Sequence, residues 1–218
     1  MKFAKAFLTL TLVTALVLTA CSTAWIGEAE QIVAALVPAA ANIVALVAAL
    51  QGKSVSTNDL ETIQSAGSQA GADLQLLQSL IAAYQKADAA AQPGILNQIQ
   101  AAINAAQSTL NGLLPALHIK DAATQAKITA VVGIVLSEIQ SLATIVPLAD
   151  ASAAPETVVM AAKQLKKQPP LTASEFVASY NATLTAKTGN ADLDHATAGM
   201  KIHLHGKFAR WASAGFLK

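Results

Sequence analysis

The sequence predicts an all-α protein, an up-down-up-down four-helix bundle with an additional C-terminal helical segment. Hydrophobic residues make up 54% of the chain and aromatic residues only 4%, a composition that favours aliphatic helices over the β-branched and aromatic strands of a sandwich. Three long segments also carry apolar residues at alternating spacings of three and four. This spacing is typical of a helix that packs against other helices.

Length, charge and cysteine content exclude several classes of protein. The 218 residues fit one domain or a domain with an appendage. A formal net charge of +1 lacks the basic excess of a nucleic-acid-binding protein, so we expect no nucleic-acid partner. The single cysteine excludes a disulfide framework and any multi-cysteine zinc site.

The first twenty residues have the features of an export signal. Lys2 and Lys5 precede the uncharged apolar run 6–20, which is too short for an ordinary membrane span. The run ends in Leu18-Thr19-Ala20-Cys21. We therefore predict that residues 1–20 are a signal peptide and that the folded part of the chain lies after them.

The sequence Leu18-Thr19-Ala20-Cys21 resembles the lipobox of bacterial lipoproteins, which has Leu three positions before an invariant Cys and small residues near the cut. The resemblance implies that Cys21 is acylated, becomes the mature N-terminus and anchors the chain to a membrane. It also implies a location in the bacterial cell envelope, and Ser22 after the cysteine favours the outer membrane facing the periplasm. An ordinary signal peptide with an incidental cysteine is the alternative.

The first predicted helix runs from about Ile26 to Leu50 and is apolar on nearly every side. Pro38 lies inside this helix and predicts a kink near residues 34–38, because proline removes a backbone donor. Gly52 is expected to end the helix. The large apolar residues are Ile32, Val33, Leu36, Val37, Ile43, Val44, Leu46, Val47 and Leu50.

Three further helices follow in series, with Ser56 or Thr57 able to cap the first of them. Short connections that contain Pro or Gly, at residues 92–94 and 115–121, predict antiparallel neighbours. Gly67 and Gly71 indicate a close approach of another backbone. The three predicted seams are Leu60, Ile63, Gly67, Ala70, Leu74, Leu77, Ile81 and Tyr84; Leu96, Ile99, Ile103, Ala106, Leu110, Leu113 and Leu117; and Ile128, Val132, Val135, Ile139, Leu142 and Val146.

The composition changes after Asp150, so we predict a bundle over residues 21–150 and a basic C-terminal helical appendage over residues 151–218. The appendage has eight basic and four acidic residues, and it could pack on the bundle or contact anionic lipid or polymer. Residues 172–175 form a capping-box sequence, which predicts a helix with one apolar face. That face carries Phe176, Tyr180 and Leu184.

An amide stripe is the candidate interaction surface; its members recur along one face of the third bundle helix. One interpretation is a solvated face in a lineage that prefers neutral polar residues. Tolerance of low pH would favour such a preference. Self-association or binding of a cell-wall glycan is the other, because amides hydrogen-bond to sugar hydroxyls. The stripe consists of Asn97, Gln100, Asn104, Gln107 and Asn111.

Few residues are candidates for catalysis or metal binding. We predict no enzymatic activity and no cofactor. His195, His203 and His205 are weak candidates for metal ligands, since their spacing is not diagnostic of a site. Recognisable catalytic motifs are absent from the sequence. Isolated carboxylates such as Glu138 are expected to face solvent on helix flanks.

These observations predict an envelope-anchored structural or interaction module whose partner is an envelope protein, a cell-wall glycan or a second copy. The alternative is a membrane-active, inserting or pore-forming-like bundle. Residues 32–50 contain no charge and could nearly cross a hydrocarbon core about 30 Å thick. Metal binding through the C-terminal histidines is a weaker alternative.

Overall fold

A computed structural model describes residues 25–46, 49–50, 55–147 and 172–204. The predictions for the signal peptide, Cys21, Gly52, the segment 151–171, His205 and the final residues lie outside the described residues. Within the described ranges the chain forms helices and no strand, which confirms the all-α prediction. The helices are α1 (Trp25–Leu46), α2 (Thr57–Lys86), α3 (Gln92–Ala116), α4 (Ala122–Ile145), α5 (Ala173–Thr185) and α6 (Ala191–Ala198).

The first three helices alternate in direction. Trp25 at the start of α1 lies against Tyr84 near the end of α2, with ring centroids 5.3 Å apart. At the opposite end of α2, Asp59 Oδ1 accepts a hydrogen bond of 2.9 Å from the backbone N–H of His118, just after α3. Successive helices therefore run antiparallel, as the short connections predict.

The same alternation continues through α4 and α5. Gln100 Nε2, in the first half of α3, donates to the carbonyl of Pro147, after the end of α4, at 2.9 Å. Lys127 near the start of α4 donates to the carbonyl of Leu184 at the end of α5, at 2.7 Å. The up-down-up-down order is thus confirmed, and α5 runs parallel to α1 and α3.

Helix α5 contributes to the same hydrophobic core as the first four helices. Phe176, Tyr180 and Leu184 are all 0% exposed, as the predicted apolar face requires. The Tyr180 hydroxyl also donates to the carbonyl of Ala39 in α1, at 3.3 Å. Described residues of the C-terminal segment therefore pack on the bundle.

The predicted seams of α2, α3 and α4 are confirmed, since all of their residues are buried except Leu60, which is half-buried. The close approach is confirmed at Gly67, where an added Cβ would lie 2.8 Å from Val44 Cγ2 and 3.1 Å from the Val44 backbone nitrogen. At Gly71 the same atom would meet open space, so this part of the prediction is wrong. The helices α1 and α2 thus approach each other closely at this glycine.

Local hydrogen bonds fix the helix ends. Ser56 caps α2 by accepting from the Asp59 backbone N–H, and Asp121 caps α4 by accepting from the N–H of Thr124. Thr172 begins α5 in a complete capping box, as its sequence predicts. These caps satisfy backbone donors that would otherwise lack partners in the first turn.

Candidate functional site

The amide stripe lies on the outer surface of α3. Asn97, Asn104 and Asn111 are exposed, whereas Gln100 and Gln107 are half-buried. Gln100 uses its amide to contact the end of α4, as described above. The 25 residues of α3 include no acidic or basic side chain, so this surface offers hydrogen bonds and no charge.

A groove of about 510 Å³ runs between α2 and α3, on the flank of α3 that faces α2, and none of the stripe residues lines it. Asn58, Thr62, Ser65 and Gln69 recur along one face of α2 and supply much of its lining. Sequence analysis missed this groove because two helices form it, although the spacing of these residues was visible. The complete lining is Asn58, Glu61, Thr62, Ser65, Ala66, Gln69, Thr109, Gly112 and Leu113.

A second groove, of about 480 Å³, lies between α1 and the extended residues that follow α6. Asn42 of α1 donates to the carbonyl of Met200. Asn181 of α5 pairs with the backbone of Ile202 by accepting from its N–H at 2.9 Å and donating to its carbonyl at 2.8 Å. Two side-chain amides thus hold this extended segment on the bundle.

The histidine candidates do not form a metal site among the residues that the structure describes, where no group of three His, Cys, Asp or Glu residues could hold an ion. His195 is exposed on α6, and His203 is exposed on the extended segment and lines the second groove. Asp194 accepts hydrogen bonds from the hydroxyl and backbone N–H of Thr188, which lower the pKa of Asp194. This carboxylate has a structural role.

Glu138 corrects a prediction from the sequence, since it does not face solvent. Its side chain is 0% exposed, and neither carboxyl oxygen has a hydrogen-bond partner among the described residues. Burial raises the pKa of Glu138 to about 8, with smaller contributions from Glu175 and Glu28. The carboxyl is therefore mostly protonated at neutral pH, which avoids the cost of burying an unpaired charge.

Lys127 is a second buried ionisable residue of α4 and was not singled out from the sequence. Its side chain is 4% exposed, and Nζ donates to the carbonyls of Leu184 and Ala186 at 2.7 and 2.6 Å. A cation at a helix C-terminus satisfies carbonyls that lack partners within the helix. Burial lowers the pKa of Lys127, and the charge of Asp194 opposes that shift.

Within the part of the chain that the structure describes, two helices, α1 and α4, are long and apolar enough to cross a membrane by length and composition alone. Their mean hydropathies are 1.6 and 1.7, and half of each most apolar window is buried inside the protein. A core helix of a soluble bundle has the same properties, and so does a signal sequence near the N-terminus. The two helices are therefore weak evidence of a membrane span.

Comparison of the chain with protein-family models, with curated proteins and with solved structures finds no match. The fold class is therefore assigned from the packing of these helices alone. A function is inferred from the surfaces that the helices form.

Proposed function

We propose that this protein is an envelope-anchored helical lipoprotein, held on a membrane by a lipid on Cys21 and acting as a structural or interaction module without catalysis. The anchor is supported by the lipobox-like sequence Leu18-Thr19-Ala20-Cys21, which contains the only cysteine of the chain. An outer-membrane location facing the periplasm belongs to the same proposal and depends on Ser22.

The start of α1 would then lie close to the bilayer. Only residues 22–24 separate Cys21 from Trp25, the first residue of α1. The four residue-to-residue steps from Cys21 to Trp25 span at most about 14 Å. The N-terminal end of α1 would therefore face the lipid, and the opposite end of the bundle would project away from it.

The observation that carries the interaction role is the uncharged, amide-bearing surface of α3. A solvent-exposed helix normally carries charged residues on its polar face, yet α3 exposes amides and small residues. Exposed amides offer both donors and acceptors to a partner. A second copy of the chain, another envelope protein or a cell-wall glycan is the proposed partner.

The anchor is tested by acyl labelling of the chain in cells. Cys21→Ser should abolish labelling while the helical fold, measured by circular dichroism, is retained. Labelling that persists in Cys21→Ser would contradict the lipid anchor.

The interaction role is tested by pull-down of the acylated protein from intact envelope. Asn104→Glu places a charge in the amide stripe and should reduce the captured partner. Ser79→Glu, at another exposed helical position, on α2, is the matched control and should capture normally. Equal capture by both variants would exclude the α3 surface as the binding site.

Membrane insertion is a second candidate function, and the span-length helices α1 and α4 favour it. Its test is dye release from liposomes by residues 22–218 without lipid. Leakage would support insertion, whereas a monodisperse soluble protein that leaves the liposomes intact would contradict it. Metal binding by His195, His203 and His205 is the least supported alternative and requires bound metal in the purified protein.

A further inference from the structure

Glu138 is fully enclosed on α4, about three turns beyond Lys127 on the face that packs against α5. The charges that act on its carboxyl come from Glu28 in the first turn of α1 and Glu175 in the first turn of α5. Both charges are negative. Helix α3, which also packs on α4, has no ionisable side chain. Among the described residues, the charges that act on Glu138 are therefore carboxylates, and a protonated carboxyl suits this interface far better than an ionised one.

Lys127, the basic residue of α4, lies too far along the helix to neutralise an ionised Glu138. Lys127 precedes Glu138 by eleven residues, or about 16 Å of helix. Its ammonium group is already hydrogen-bonded to carbonyls at the other end of α5. Glu175 stays ionised, because hydrogen bonds with Thr172 in the capping box hold its pKa below the usual value.

We propose that Glu138 is a pH-sensitive latch that keeps α5 packed on α1 and α4 when its carboxyl is protonated and loosens α5 when it is ionised. Ionisation adds a third negative charge to those of Glu28 and Glu175, and the repulsion from Glu175 acts on the first turn of α5. Among the described residues, the charges that act on Glu138 lie on α1 and α5 and not on α2 or α3. The loosening is therefore confined to α5 and the residues that pack with it.

The direction of the pH effect follows from the raised pKa. A carboxyl that titrates near 8 in the folded protein and near 4.5 when exposed favours the packed state fully below pH 4.5. That preference is lost as the pH rises toward 8, and the change approaches tenfold in the packing equilibrium for each pH unit. The latch is therefore closed in acid and opens in mild alkali.

Reporter cysteines test the latch in the full chain with Cys21→Ser, where each reporter is the only thiol. Ala173→Cys lies in the first turn of α5 and is 5% exposed, whereas Ala178→Cys is exposed on the same helix and is the matched control. The ratio of their labelling rates removes the pH dependence of thiol reactivity. We expect this ratio to rise at least tenfold between pH 6 and pH 9.

The same measurement in Glu138→Gln and Glu138→Met should give a ratio that does not change with pH, because neither side chain ionises. An equal rise in these variants, or no rise with Glu138 present, would overturn the latch. Ala70→Cys, at a fully buried position of α2, reports on global unfolding. If its labelling accelerates as much as that of Ala173→Cys, the whole bundle opens and the proposal of a local latch is wrong.

Discussion

Helices α3 and α4 have nearly the same length but bury very different faces. Seven residues of α3 are buried and all are apolar, whereas eleven residues of α4 are buried and include Thr124, Lys127, Glu138 and Ser141. The remaining surface of α3 is solvated and uncharged. The two helices thus use polar residues in opposite ways, α3 outside the core and α4 inside it.

The difference follows from the number of neighbours around each helix. Helix α4 is covered by α5 on a second side, where Lys127 contacts the end of that helix and Glu138 lies about three turns further along the same face of α4. A polar residue on a covered face must find a partner or lose its charge. In α4, Lys127 finds hydrogen-bond partners and Glu138 loses its charge by protonation. Both residues lie on the face that α5 covers.

The largest expected effect tests whether α5 is needed to cover α4. Phe176→Ala removes a ring that is 0% exposed and should destabilise the protein by about 3–5 kcal/mol through lost burial and a cavity. Urea unfolding measures the loss. Ser179→Ala, at an exposed position of α5, should change stability by less than about 0.5 kcal/mol. Similar small losses in both variants would make α5 dispensable.

The contact between α1 and α2 is tested by two glycines of α2. Gly67→Ala forces a methyl group against the backbone and side chain of Val44 and should cost about 1–3 kcal/mol. Gly71→Ala meets open space and should stabilise the helix by about 0.5–1 kcal/mol. Thermal unfolding of both variants gives the sign directly, and the same sign for both would contradict the observed contact.

Asp59 of α2 and Glu138 of α4 should change the stability of the protein with pH in opposite directions, because the pKa of Asp59 is lowered and that of Glu138 is raised. Asp59 is 2% exposed and accepts from Ser56 Oγ at 2.6 Å and from the His118 N–H at 2.9 Å, which lowers its pKa below 3.8. Its stabilisation is present above pH 3.8 and is lost as the pH falls through the lowered value. Asp59→Asn should cost about 1–2 kcal/mol at pH 7 and should flatten the acid side of a stability–pH curve. If Asp59→Asn leaves the stability at low pH unchanged, groups other than Asp59 cause the loss of stability in acid.

The smallest effect is expected on the amide stripe. Gln100→Ala removes one exposed hydrogen bond, and Asn104→Ala removes an exposed amide. Each should change the free energy of unfolding by less than about 1 kcal/mol. A loss comparable to that of Phe176→Ala would mean that the stripe belongs to the core, contrary to its exposure.

Much of the fold could be predicted because its signals are local. The seams of α2 to α4, the Ser56 cap and the capping box at Thr172 each depend on residues within a few turns of one helix. Burial of Glu138 and Lys127 could not be predicted in the same way, since it depends on α5, which is distant in the sequence. The groove between α2 and α3 likewise requires the relative position of two helices.

The absence of charge on α3 has a consequence for how any partner would be held there. Dissolved salt weakens attractions between exposed ions, and the screening length falls from about 10 Å at 0.1 M to about 3 Å at 1 M. A contact made by neutral amides and small residues has little for salt to screen. A complex formed on the surface of α3 would therefore keep nearly constant affinity across ionic strengths that dissociate an ion-paired one.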